Sequence, residues 1–99
     1  MAVGMLVRIP GGTQELYDSI EEHLGWDGKE YPPGFISHYA GPTADGWLVF
    51  DVWESQEDFE RFAQEDLGPA VAAATGGTAP EMTPTFIPIY NQDHAGARV

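Results

Sequence analysis

Residues Trp47 to Trp53 read WLVFDVW. Odd positions give Trp47, Val49, Asp51 and Trp53; even positions give Leu48, Phe50 and Val52. Successive side chains of a strand point to opposite faces, so a strand here has no polar face to turn to water. Ala2 to Ile9 has the same character, with Val3, Met5, Val7 and Ile9 on one parity and Ala2, Gly4 and Leu6 on the other. Both strands need cover above and below. A chain of 99 residues makes one domain and buries roughly 60–70% of the surface its unfolded form exposes, which leaves little material for that cover.

The remaining elements follow from punctuation and period. Pro10-Gly11-Gly12 stops the first strand. Thr13 is a helix cap with Glu15 in the first turn, and Leu16, Ile20 and Leu24 recur every four residues, flanked by Tyr17, until Gly25. Gly25 to Gly34 is a loop whose Trp26 and Tyr31 could form a lid. Phe35 to Ala40 is a second strand, Gly41 to Gly46 a turn, and Trp47 to Trp53 the third strand. Ser55-Gln56-Glu57-Asp58 is a variant capping box opening a helix with Phe59, Phe62, Ala63 and Leu67 inward. Gly68-Pro69 is expected to break or kink it, and Ala70 to Thr75 to resume it. Thr85 to Tyr90 is a last strand, which Pro88 confines to a sheet edge or a bulge.

The order βαββαβ implies an α+β, ferredoxin-like fold: a four-stranded antiparallel sheet with two helices on one face. Residues 1–91 make the domain and 92–99 a loose tail. Two helices shelter one side only, so the far side would be an apolar patch larger than soluble monomers tolerate. A second copy packed sheet to sheet would bury it, and a homodimer is the expectation.

Charge narrows the partners. Four Lys plus Arg (Arg8, Lys29, Arg61 and Arg98) stand against sixteen acidic residues, a formal net charge of −12. Such a chain has no basic footprint for nucleic acid and is repelled by anionic membranes. The absence of cysteine removes disulfides, thiolate catalysis and sulfur-ligated metals. MAVGMLVRIP has neither the basic start nor the apolar stretch of a signal peptide, and no run approaches the ~18 apolar residues of a membrane span. A cytoplasmic location is the expectation. His23, His38 and His94 are too scattered for a metal set, and no HxH or HExxH motif exists.

The stretch FDVWESQEDFERFAQEDL, with the preceding GFISHYAG, resembles the small dimeric α+β barrel proteins and is most similar to the antibiotic biosynthesis monooxygenase group. The resemblance covers roughly Met5 to Ala74 in element order. It implies a homodimer and a pocket between sheet and helices. Relatives include cofactor-free oxygenases of polycyclic phenols, haem-degrading enzymes, isomerases, cyclases and members with no known activity. The haem-degrading branch uses an Asn on the first strand, a Trp where Phe62 stands and a His where Ala72 stands; Met5 to Arg8 offers no Asn, so haem degradation is disfavoured.

The polar residues within the apolar strands then gain interest. With an even-length turn, His38 shares a face with Trp47, Val49, Asp51 and Trp53, and that face is expected to meet the helices. An odd-length turn would put it with Leu48, Phe50 and Val52. In the first register Asp51 could orient His38 as a general base toward a phenol or activated C–H, or the two could simply satisfy each other. Trp47, Trp53, Tyr39 and Phe62 could line a flat aromatic site or be plain core. Arg8 could anchor a carboxylate or phenolate or pair with a surface acid, and Tyr90 could pack or donate a hydrogen bond. The expected function is a small-molecule enzyme without metal or organic cofactor, acting on an aromatic or polyketide-like substrate by monooxygenation or by proton-transfer cyclisation or isomerisation. The rival is a non-catalytic dimer that binds a hydrophobic ligand or assists a partner enzyme. A cavity of ~300 Å³ or more would favour the enzyme.

Overall fold

Capping residues set the helix boundaries. Thr13 is extended and its Oγ1 accepts from the Leu16 N–H at 3.1 Å, while Gly25, at φ +66°, closes the same helix by donating its N–H to the Glu21 carbonyl. That left-handed conformation favours glycine. Ser55 accepts from the Asp58 N–H at 3.2 Å and donates its hydroxyl to Asp58 Oδ2 at 2.8 Å, so this variant capping box closes side chain on side chain. The computed structural model describes residues 2–25, 31–78 and 82–93. Its elements are β1 (Val3–Pro10), α1 (Gln14–Leu24), β2 (Phe35–Thr43), β3 (Gly46–Trp53), α2 (Gln56–Phe62), a π-helical segment (Ala63–Leu67), α3 (Gly68–Thr75) and β4 (Thr85–Pro88). Trp26 of the Gly25 to Gly34 connection, a lid or an ordinary loop in the sequence, and His94 of the expected tail lie outside the described residues.

The described residues form a four-stranded antiparallel sheet in the order β2-β3-β1-β4. This is the ferredoxin-like α+β fold read from the sequence. β2 continues past Ala40 to Thr43, so the hairpin turn shrinks to Ala44-Asp45. The turn stays even in length, and pairing parity is therefore the one expected. β4 pairs only with β1 and ends at Pro88, short of Tyr90, with one further bond from the Ile89 N–H to the Ala2 carbonyl; its edge position suits a proline, which cannot donate to neighbours on both sides.

The second helix departs from expectation. The chain stays helical from Gln56 to Thr75 through Gly68-Pro69. Ala63–Leu67 widens into a π turn in which the Gly68 N–H donates to the Ala63 carbonyl, and the proline is absorbed instead of ending the helix. Gly68 sits in the right-handed helical region directly before Pro69, where a Cβ would press on the proline ring.

The helix-covered side of the sheet carries Val3, Met5, Val7, Ile9 and Trp53 in one cluster with Phe59 and Phe62. A second cluster of Ile20, Ala70 and Val71 fastens α1 to α3. On the other side Phe50 lies over Gly4, where a Cβ would stand 3.0 Å from its Cζ. Leu6, Phe50 and Tyr39 form one cross-strand row there. Tyr39 and Ile87 are large apolar side chains left exposed on this side. Among the described residues no helix is long and apolar enough to cross a membrane.

Candidate active site

Cross-strand pairing puts Met5, Asp51 and His38 in one row across β1, β3 and β2. The even-length turn puts His38 and Asp51 on one face, and that face lines the space under the helices. Asp51 is 3% exposed amid an apolar core, a position a carboxyl group occupies only when its oxygens are bonded. Both are. Oδ1 lies 2.5 Å from His38 Nδ1, and Oδ2 accepts from Trp53 Nε1–H at 3.2 Å. The sequence reading of Asp51 as the partner of His38 is what the geometry shows.

The other side of the imidazole meets α1. Tyr17 Oη lies 2.5 Å from His38 Nε2 and 3.2 Å from Glu21 Oε1. The phenol and imidazole planes are nearly parallel, 8° apart with centroids separated by 5.9 Å. Trp47 backs the phenol at 5.4 Å between ring centroids. The result is a chain of polar groups, Trp53–Asp51–His38–Tyr17–Glu21, threading from the core to the flank of α1.

The phenol carries one hydrogen, so the chain has two self-consistent arrangements. With neutral imidazole and Nδ1–H on Asp51, the phenol donates to Nε2. With imidazolium, Nε2–H donates to the phenol oxygen and the phenol donates to Glu21. Burial, the largest single influence on His38, disfavours its charged form. The Asp51 hydrogen bond and charge, with the charge of Glu21, outweigh burial and raise its pKa above the ordinary 6.5. Tyr17 is pushed above the ordinary phenol value by burial first, then by Glu21, Asp51 and Asp18. It is therefore a neutral hydrogen-bonding group, not a phenolate.

A cavity of about 220 Å³ opens beside this chain between the sheet and the helices. Its walls are carbon from Met5, Val7, Val49, Phe59, Phe62 and their neighbours, interrupted by Tyr17, Glu21, His38 and Asp51. The volume falls short of the ~300 Å³ set as the mark of a drug-sized pocket, yet the space is not solidly filled. Since an apolar hole of about 150 Å³ takes up benzene, this one has room for one or two fused aromatic rings. Ala63 and Leu67 of the π segment line it, which gives the widened turn a place in the site.

The residues expected as an aromatic wall part company. Phe62 lines the cavity. Trp47 stands behind Tyr17, and its buried Nε1 has no acceptor among the described residues. Trp53 is fully buried in the core and serves Asp51. Tyr39 follows His38 and so points to the opposite face, where it is 54% exposed and stacks with Phe50. Arg8 has the parity of Leu6 and is exposed away from the cavity, and Tyr90 lies beyond β4 at 97% exposure. None of these last three reaches the cavity. Tyr31 stacks on Phe35 at 4.6 Å instead of covering the site. The sequence reading passed over Tyr17 and Glu21. Their spacing of four places them on one helical stripe, one residue along from Leu16, Ile20 and Leu24, and that offset was the available signal.

No family model matches the chain, and no curated protein does. Solved structures do. The cofactor-independent oxygenase SnoaB of Streptomyces nogalater is 18% identical, with 92% of this chain and 95% of that one covered at a TM-score of 0.65. The chain has the fold of the antibiotic-biosynthesis-monooxygenase-like proteins. The ActVA-Orf6 monooxygenase of Streptomyces coelicolor, solved in complex with nanaomycin D, is 16% identical over 94% of this chain and 90% of that one at 0.61. Rv0793 of Mycobacterium tuberculosis is 15% identical over 96% and 99% at 0.62.

Proposed function

We propose that this chain is a cofactor-independent enzyme that removes a proton from a small aromatic substrate held between sheet and helices, with the Asp51-held imidazole of His38 as the proton's destination. The supporting observation is the placement of a half-buried, carboxylate-oriented histidine on the wall of a largely apolar cavity. Deprotonation makes a phenol or enol electron-rich. Such an anion can react with O2 directly, giving monooxygenation, or rearrange by cyclisation or isomerisation. That the fold is shared with a cofactor-independent oxygenase favours oxygenation. The cavity volume favours substrates of one or two fused rings over larger polycycles.

The working form in this reading is a homodimer joined through the open sheet face, where Leu6, Phe50, Tyr39 and Ile87 present apolar surface. The test is oxygen uptake and product mass with a panel of hydroxynaphthalenes, in the wild type, His38→Ala and Asp51→Asn. General-base catalysis contributes roughly 10²–10⁴-fold, so His38→Ala is expected to lose about 100-fold or more in turnover. Equal turnover in all three proteins would contradict the assignment, and binding without turnover would favour a ligand-binding accessory protein.

A further inference from the structure

Both ring nitrogens of His38 are already engaged, Nδ1 by Asp51 and Nε2 by Tyr17. A substrate in the cavity therefore does not meet the lone pair of Nε2; it meets the phenol standing in front of it. Tyr17 lines the cavity, as does Glu21 one helical turn later. A hydroxyl oxygen has one hydrogen to donate and two lone pairs to accept with. While Tyr17 donates to Nε2, its oxygen keeps acceptor capacity for a second hydroxyl.

We propose that Tyr17 is the catalytic residue that touches the substrate, passing the proton of a phenolic or enolic hydroxyl through its own oxygen to His38. This rests on the proton-acceptor reading of His38 given above. The step balances without a further reactant. The substrate O–H bond breaks as its proton joins the Tyr17 oxygen, and the Tyr17 O–H bond breaks as that proton joins Nε2. The products are a substrate oxyanion, an unchanged neutral phenol and an imidazolium paired with Asp51. Tyr17 then accepts from Nε2–H and donates to the oxyanion. When product leaves, Glu21 Oε1, 3.2 Å away, takes that donated hydrogen bond. No phenolate forms at any point, in keeping with the burial and the acidic neighbours of Tyr17.

The test uses 4-nitrophenol, whose anion is read by its visible absorbance, mixed with the full-length protein at a pH where the free probe is mostly neutral. Wild type is expected to raise the anion absorbance. Tyr17→Phe keeps the ring in front of Nε2 and removes only the oxygen that the relay passes through. It is expected to cut the anion signal about tenfold or more while binding the probe by equilibrium dialysis and keeping the His38–Asp51 pair intact by imidazole NMR. His38→Ala is expected to lose the signal as well. A full anion signal in Tyr17→Phe alongside its loss in His38→Ala would overturn the role of Tyr17 and leave His38 as the direct acceptor. A full signal in both variants, or none with wild type, would overturn both readings. Should Tyr17→Phe fail to melt cooperatively, Tyr17→3-fluorotyrosine replaces it, with the anion signal expected to follow the acidity of the new phenol; an unmoved signal would count against the relay.

Discussion

The two faces of the sheet are built from the same four strands and differ in almost everything else. On the helix side the row Met5–Asp51–His38 holds a buried carboxylate and a half-buried imidazole, each oxygen and ring nitrogen bonded. One residue along, on the far side, the row Leu6–Phe50–Tyr39 is all carbon but for a phenol tip, and Tyr39 stands half in solvent. Along these two rows the ordinary arrangement is reversed: a carboxylate is enclosed and a large apolar ring is partly bare. Enclosing charge demands that every polar atom be partnered, which suits a site whose chemistry depends on fixed proton positions. Baring carbon demands nothing geometric, which suits an interface completed by another surface.

That contrast can be probed from the helix side outward. Trp53→Ala removes the fully buried ring that packs on Phe35, Phe59 and Phe62 and also the donor to Asp51. A loss of ~3–5 kcal/mol is expected, a large share of the ~5–15 kcal/mol of a typical domain, to be measured by urea unfolding. Asp51→Ala leaves His38 Nδ1 and Trp53 Nε1 without their acceptor. At about 1–3 kcal/mol for an unpartnered buried group, a loss of ~2–4 kcal/mol is expected by the same method.

Phe50→Glu acts on the other face. In the dimer reading it should leave the melting transition cooperative while light scattering falls to the 10.8 kDa of one chain. A wild-type protein already at that mass at micromolar concentration would remove the dimer. Tyr39→Ser, at the rim of the same face, should change monomer stability by no more than about 0.5 kcal/mol.

Acidity separates the faces again. His38 has its folded pKa above the unfolded 6.5. Its contribution to stability is thus whole below about pH 6.5 and drains away as pH rises through the folded value. The melting-temperature gap between wild type and Asp51→Asn is expected to be wider near pH 6 than at pH 9. A gap that stayed constant over that range would speak against the pairing of charge on this row.

Much of this was legible from residue order. Period-two alternation and an even turn placed His38 beside Asp51, although the turn itself proved shorter, because parity and not loop length decides which way a strand residue points. Pro88 announced an edge. What escaped was whatever depended on a helix meeting a strand. Tyr17 reaches His38 across twenty-one residues of sequence, a contact no local period encodes. The passage of Gly68-Pro69 inside a helix depended on a π turn that no local pattern announced. Tyr39 and Arg8 were grouped with the cavity for their chemistry, against their own parity, and the sheet sent them to the open side.

The site stands or falls with the charge state of one ring, and nitrogen-detected NMR of His38 across pH 5 to 10 reads it directly. Titration above 6.5 in the wild type, moving down in both Asp51→Asn and Glu21→Gln, is the expected result. A ring that titrates at or below 6.5 and ignores both substitutions would contradict the bonded chain from Asp51 to Glu21, and with it the proton acceptor in the cavity wall.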